Sequence, residues 1–191
     1  RKRFASPLDL DGSTMLIVGL GGIGTEIARR ARAFGMRVIA TRNSSRNGPR
    51  FVDYVGLANE LTDLVGQADI VVNATPLTPA TTGLFDAAMF RRMKPSAYFI
   101  NIGRGGSVLT DDLLEALNTR TIAGAGLDVT EPEPLPANHP LWRAPNVIIT
   151  PHMAGSSRVK LDRMWAVMLE NVRRFVAGEK MLSVVDVRRG Y

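Results

Sequence analysis

The chain has 191 residues, 45% of them hydrophobic and 22% charged, the balance of a soluble globular domain large enough to bury a core rather than of a disordered segment. It has no cysteine and only two histidines, which excludes disulfides and thiolate chemistry within this segment and leaves no plausible set of metal ligands. The formal net charge is +6, but the cations are scattered over helix-like and terminal segments without interleaved aromatics, so solvated faces are favoured over a nucleic-acid site.

From the N-terminus, residues 14–18 form an apolar run that reads as a strand, followed by an amphipathic helix over 22–34 that Gly35 stops. A second strand is expected at 37–41, a weak third near 51–55, a helix at 57–65, a strand at 69–74, a short helix at 86–93 and a strand at 97–102. Thr110 reads as an N-cap, with Asp111 and Asp112 in the positive first turn and Leu113, Leu114 and Leu117 on the apolar face. Strands at 122–127 and 146–150 flank a stiff loop, 131–140, that holds Pro132, Pro134, Pro136 and Pro140. A long helix over 156–177 ends at Gly178. This βαβα alternation argues for an α/β fold: a doubly wound parallel sheet of about seven strands with helices on both faces.

After the first strand comes Gly19-Leu20-Gly21-Gly22-Ile23-Gly24, then a helical pattern. A G-x-G-x-x-G turn between strand and helix is the Rossmann fingerprint. Its first glycine permits the tight turn, its second lets the backbone approach a pyrophosphate, and its third allows close helix packing. Gly19, Gly21, Gly22, Ile23 and Gly24 are therefore candidate dinucleotide ligands. The end of the second strand should then carry an acid if a ribose 2′-hydroxyl is bound, and here it carries Arg42, followed by Asn43, Ser44, Ser45 and Arg46. A guanidinium can take a 2′-phosphate bidentately, so NADP(H) is the expected cofactor with NAD(H) possible; the alternative is that Arg42 stacks on the adenine or faces solvent.

Three further segments place polar residues directly after strands, where ligands sit in an open parallel sheet. They are Asn101-Ile102-Gly103-Arg104-Gly105-Gly106, the stretch from Asp128 to Glu133, and Thr150-Pro151-His152-Met153-Ala154-Gly155. With the glycine turn and Thr75-Pro76-Leu77-Thr78-Pro79-Ala80-Thr81, they closely resemble the D-isomer-specific 2-hydroxyacid dehydrogenase family over nearly the whole chain, and the glyoxylate and hydroxypyruvate reductases within it.

The resemblance implies a hydride transfer between NAD(P)H and a small 2-keto or 2-hydroxy acid. Arg104 would bind the substrate carboxylate, His152 would be the acid/base and Glu133 its supporting acid. Asp128 would lie near the nicotinamide carboxamide. Thr75, Pro76 and Thr81 would form the cofactor wall, with Ile102, Ala154 and Gly155 beside them. Asn73, Ala74 and Thr82 depart from the family pattern, which has an aliphatic residue, often a histidine, and often an arginine there. The trio also stands on chemistry alone. A guanidinium matches a carboxylate and polarises the adjacent ketone, an imidazole can give or take a proton near neutrality, and a carboxylate beside it favours the charged ring and fixes its orientation.

The resemblance further assigns residues 1–181 to the dinucleotide-binding domain, with Arg1-Lys2-Arg3-Phe4 as the stretch before it, and 182–191 to a return into a second, substrate-side domain. It implies a homodimer. No membrane partner is expected, since no apolar stretch nears the roughly 20 residues a bilayer requires. With no leader seen before Arg1, a cytoplasmic location is the expectation. Competing readings are a non-catalytic sensor or corepressor on the same fold, an isolated cofactor-binding fragment, and a formate dehydrogenase or NAD-holding hydrolase. Glu133 argues against formate oxidation, which releases no alcohol proton. His139, in the proline-rich loop, reads as a helix-start or packing residue.

Overall fold

In the computed structural model, which describes residues 8–187, the first of two units is built around β1, Thr14–Val18, paired with a parallel strand on either side. A strand covered on both faces needs a continuous apolar run rather than alternation, and Met15-Leu16-Ile17-Val18 supplies one. Its partners are β2, Arg37–Arg42, and β4, Ile70–Asn73; β3, Tyr54–Leu57, lies outside β2, while β5, Tyr98–Asn101, β6, Gly124–Leu127, and β7, Val147–Ile149, extend the sheet beyond β4. Every pairing in this seven-stranded sheet, ordered β3-β2-β1-β4-β5-β6-β7, is parallel. The order reverses between β1 and β4, which opens a crevice beyond the carboxyl ends of those strands.

Successive residues of β1 serve opposite faces. Leu16 and Val18 join the core shared with α2 (Leu61–Leu64), α3 (Ala87–Arg92) and α4 (Thr110–Asn118), while Ile17 joins the one shared with α1 (Gly22–Ala33) through Ala28 and Ala31. Phe99 of β5 anchors the larger core, with its ring centroid 4.7 Å from that of Phe85 and 5.4 Å from that of Phe90, the latter edge-on. Helices thus cover both faces, as the alternation of elements predicts.

Element ends differ from expectation where side chains or turns compete for backbone groups. Leu109, not Thr110, holds the N-cap position of α4; Thr110 is the first helical residue and its hydroxyl donates to the Glu131 carbonyl at 2.6 Å. Asp111 and Asp112 do occupy the first turn. The helix expected over 57–65 is one α turn between the 3-10 turns Ala58–Glu60 and Val65–Gln67, since the Glu60 carboxylate takes the Leu57 amide at 2.6 Å and Gly66 interrupts the far end. The weak third strand begins at Tyr54 because residues 49–52 close a turn, with the Val52 amide on the Pro49 carbonyl at 3.0 Å.

The second unit starts at His152 and contains α5, Lys160–Val176. Turns closed by the Ser156 amide on Met153 and the Lys160 amide on Ser157 delay its start relative to the sequence expectation of 156. It ends at Val176, and Gly178 beyond it, φ +69°, and Glu179 cap the last turn with their amides. Asn171 holds the segment beyond by exchanging hydrogen bonds with the Leu182 backbone, at 2.7 and 3.1 Å. Residues 1–4 and 188–191, read above as a preceding stretch and part of a return segment, lie outside the described residues.

Candidate functional site

Two glycines of the turn are required by their surroundings. Gly19 has φ +97°, and a Cβ there would lie 2.9 Å from the Ala74 carbonyl oxygen, so the ends of β1 and β4 approach more closely than any side chain permits. Gly24 packs against the Gly19 carbonyl, which a Cβ would overlap. By contrast, a Cβ on Gly21 or Gly22 would meet nothing within 4 Å. The turn is therefore tight behind and open in front, where the first amides of the 12-residue α1 lie. These residues fit a pyrophosphate. Ile23, the next residue, is exposed.

Arg42 closes β2 and donates to the Asn47 carbonyl at 2.7 Å, which folds the loop 43–47 back on the strand end. Arg46 is differently engaged. It meets the Glu60 carboxylate at 2.9 Å and the Tyr54 hydroxyl at 3.0 Å, and Tyr54 itself donates to Glu60. The hydrogen bond from Tyr54, the Leu57 amide and then Arg46 hold the Glu60 carboxyl down at about 2. The sequence reading noted both arginines but missed Tyr54 and Glu60, whose link to Arg46 depends on β3 lying beside β2. Among the cations of this loop, Arg46 has its charge matched by a carboxylate, while Arg42 is held by a backbone carbonyl.

Beyond β4, Thr75 is buried and Pro76 exposed. Thr81 braces their loop from inside, its hydroxyl donating to the Pro76 carbonyl at 2.6 Å and accepting from the Thr78 amide at 2.8 Å. Beyond β5, the Ile102 amide bonds to the Asn73 carbonyl at 3.1 Å. Arg104 follows on an exposed turn of extended backbone, φ −143° and ψ 145°, its guanidinium donating to the Gly103 carbonyl at 2.7 Å. That turn is gripped from two sides: a Cβ on Gly103 would lie 2.6 Å from the Thr75 carbonyl oxygen, and one on Gly105 would overlap the Thr130 carbonyl. Asn73, Asn101 and Ser107 lie buried beneath it in a hydrogen-bonded cluster that sequence reasoning did not assign to the site.

Beyond β6, Asp128 is buried and accepts from the Thr150 hydroxyl at 2.6 Å, which ties the ends of β6 and β7. Glu133 is exposed on the proline-rich loop. This loop is well anchored: Leu135 is buried, the Thr130 hydroxyl donates to the Pro132 carbonyl at 2.9 Å, and the Trp142 indole donates to Pro136 at 2.9 Å. Peptide bonds Glu131–Pro132 and Glu133–Pro134 are cis. His139 caps a 3-10 turn, Pro140–Arg143, with Nδ1 accepting from the Leu141 amide at 3.2 Å, in accord with a helix-start role.

Arg104 and Asp128 thus follow the carboxyl ends of β5 and β6, on the edge that also carries the glycine turn and Arg42, and Glu133 lies farther along the loop after Asp128. His152, Ala154 and Gly155 open the second unit, where His152 has φ 50° and is exposed, as are Ala154 and Gly155. Among the described residues, no cluster of three or more histidines and acids could hold a metal, and no helix is long and apolar enough to cross a membrane.

The chain matches a family model described as D-isomer specific 2-hydroxyacid dehydrogenase, NAD binding domain, over residues 1–154. It is 40% identical over 174 residues, 91% of this chain, to the human glyoxylate reductase/hydroxypyruvate reductase, covering 53% of that protein. It is 36% identical to glyoxylate/hydroxypyruvate reductase A of Serratia proteamaculans, with 97% of this chain and 58% of that protein covered. The chain therefore spans just over half the length of such relatives. A crystal structure of a D-isomer specific 2-hydroxyacid dehydrogenase from Xanthobacter autotrophicus in complex with NADPH and MES superposes with a TM-score of 0.90 at 34% identity, over 100% of this chain and 78% of that one. An NADPH-dependent glyoxylate/hydroxypyruvate reductase from Sinorhizobium meliloti, in complex with NADP and sulfate, gives 0.89 at 36% identity, over 100% and 60%. Sequence, sheet order and glycine geometry agree: the chain belongs to the D-isomer-specific 2-hydroxyacid dehydrogenase family and carries its NAD-binding domain.

Proposed function

We propose that this chain binds NADP(H) in preference to NAD(H) and contributes Arg104, Glu133 and His152 to a reductase of small 2-keto acids such as glyoxylate and hydroxypyruvate. The observation that carries the reading is Arg104, an exposed cation on a turn gripped from both sides, at the same strand edge as the glycine turn. The relatives named above, two of them crystallised with NADPH or NADP, support the substrate class and the cofactor.

In this reading the amides of the glycine turn hold the pyrophosphate, and Arg42 meets the 2′-phosphate. Thr75, Pro76, Thr81, Ile102 and Asp128, with Ala154 and Gly155, wall the reactive ring. The dinucleotide supplies the hydride when bound. Arg104 holds the keto acid by its carboxylate and draws electron density toward the carbonyl oxygen, an effect that grows as charge develops there. His152 gives its proton to that oxygen in reduction and takes one from the hydroxyl in oxidation. Glu133 is the supporting acid that the family resemblance assigns to His152. Residues 1–181 would serve as the dinucleotide domain and 182–191 as the passage into a second domain, within a homodimer that light scattering of the complete protein would reveal.

The test is NADPH oxidation by the complete protein with glyoxylate, hydroxypyruvate and pyruvate. His152→Gln should lower kcat by about 100-fold or more, the range of general acid catalysis, with NADPH affinity kept. Turnover retained in that variant would sink the acid/base assignment.

A further inference from the structure

Asn73 ends β4 and Asn101 ends β5; they are register partners, exposed by only 0% and 1%. The Asn73 amide is used in two directions. Its Nδ2 donates to Asn101 Oδ1 at 3.0 Å and to Ser107 Oγ at 2.7 Å, while its Oδ1 accepts from the Thr75 amide at 3.2 Å and the Thr75 hydroxyl at 2.7 Å. From there two links reach the arginine turn: Ser107 Oγ donates to the Arg104 carbonyl at 2.6 Å, and Asn101 Nδ2 donates to the same oxygen at 3.1 Å. Asn101 Oδ1 also takes the Gly103 amide at 3.1 Å.

The polarity of this cluster cannot be reversed. Backbone amides only donate, so the Thr75 amide fixes Asn73 Oδ1 and the Gly103 amide fixes Asn101 Oδ1. Each side-chain Nδ2 must then face the Arg104 side. A leucine at position 73 would strip the Thr75 amide and hydroxyl of their acceptor and take one donor each from Asn101 Oδ1 and Ser107 Oγ, which loosens the buried hold on the Arg104 turn.

We propose that Asn73 is a positioning residue that couples the cofactor-side loop at Thr75 to the Arg104 turn, and so sets keto-acid affinity without touching the substrate. This rests on the reading of Arg104 as the carboxylate ligand. The Asn73-to-Thr75 bonds serve the cofactor side, and the Asn73-to-Ser107 and Asn101 bonds serve the substrate side. The two branches predict separable effects.

The test uses the complete protein, with keto-acid KM measured at saturating NADPH and NADPH Kd measured by fluorescence. Ser107→Ala should raise keto-acid KM about tenfold, the scale of one lost buried hydrogen bond, and leave NADPH Kd within about threefold. Thr75→Val should do the converse, and Asn73→Leu should raise both. Because Asn73 and Ser107 lie on one path, the double variant should be less than additive in KM. Arg104→Gln is the control. If it leaves keto-acid KM unchanged, the reading of Arg104 fails and this inference with it. If it raises KM but Ser107→Ala does not, only the positioning role of the cluster is overturned. Ser107→Ala that raises both constants alike, or that loses folding, marks the cluster as structural and also overturns the proposal. Should Asn73→Leu not fold, Ser107→Ala and Thr75→Val still decide.

Discussion

Gly105 illustrates how a residue with no side chain can govern one that has a large one. The Thr130 carbonyl occupies the space of its missing Cβ, so Gly105→Ala must push apart the β5 and β6 loops and move the neighbouring Arg104. Overpacking of this kind costs about 1–3 kcal/mol. Urea denaturation should show a lowered midpoint, and keto-acid KM should rise with it. Arg42 gives the second residue-scale prediction. Loss of a charge-assisted hydrogen bond to a phosphate, about 1.5–3 kcal/mol, means that Arg42→Ala should raise KM for NADPH by roughly 10- to 100-fold and leave NADH almost unaffected. Equal losses for both cofactors would identify the arginine as an adenine-stacking residue. The close approach at Gly19 and Gly24 was readable from the spacing of the glycine turn in the sequence. The hydrogen bonding of Asn73 was not, because its partner Asn101, 28 residues away, becomes its neighbour only when β4 pairs with β5.

Among elements, the loop after β2 is steadied by its neighbour. Arg46, Tyr54 and Glu60 tie it to β3 and the 3-10 turn that follows. The Glu60 carboxyl is lowered from 4.5 to about 2, by Tyr54 first and then by the Leu57 amide and Arg46. Its contribution is fully present above its unfolded value, where the carboxyl is ionised in both states. As pH falls through 4.5 toward 2, the unfolded chain takes up the proton first and the stabilisation disappears. Glu60→Gln should therefore be less stable than the parent in urea at pH 6, with the gap narrowing steadily below pH 4.5. A gap that is constant with pH would show that the carboxylate contributes only its shape. The central strands are legible as apolar runs, because parallel strands covered on both faces require them, whereas β3 gives only a weak signal. Their ends are less so. Whether residue 51 or Tyr54 opens β3, and whether Thr110 caps α4 or begins it, depends on which remote carbonyl or carboxylate claims the local donors.

For the whole molecule, the first unit has its own two cores on either side of one sheet, whereas α5 of the second unit has no buried residue and carries Leu161, Trp165, Leu169 and Val172 exposed along its length. A ligand that binds only the folded sheet stabilises it by mass action, by about 2.7 kcal/mol at 100 times Kd. NADPH should accordingly raise the melting temperature of the complete protein more than NADH at equal concentration, and the difference should vanish in Arg42→Ala. Identical shifts for the two nucleotides in the parent would count against the NADP(H) preference.

The order of strands has a consequence for redesign as well as for chemistry. Arg42 hangs from β2 on one side of the β1–β4 crevice, and Arg104 from β5 on the other. On the proposed reading, the choice of nucleotide and the grip on the keto acid are thus written in loops that belong to opposite halves of the sheet. The same separation means that rewriting residues 42–47 should shift the nucleotide preference of the complete protein and leave its keto-acid KM unchanged.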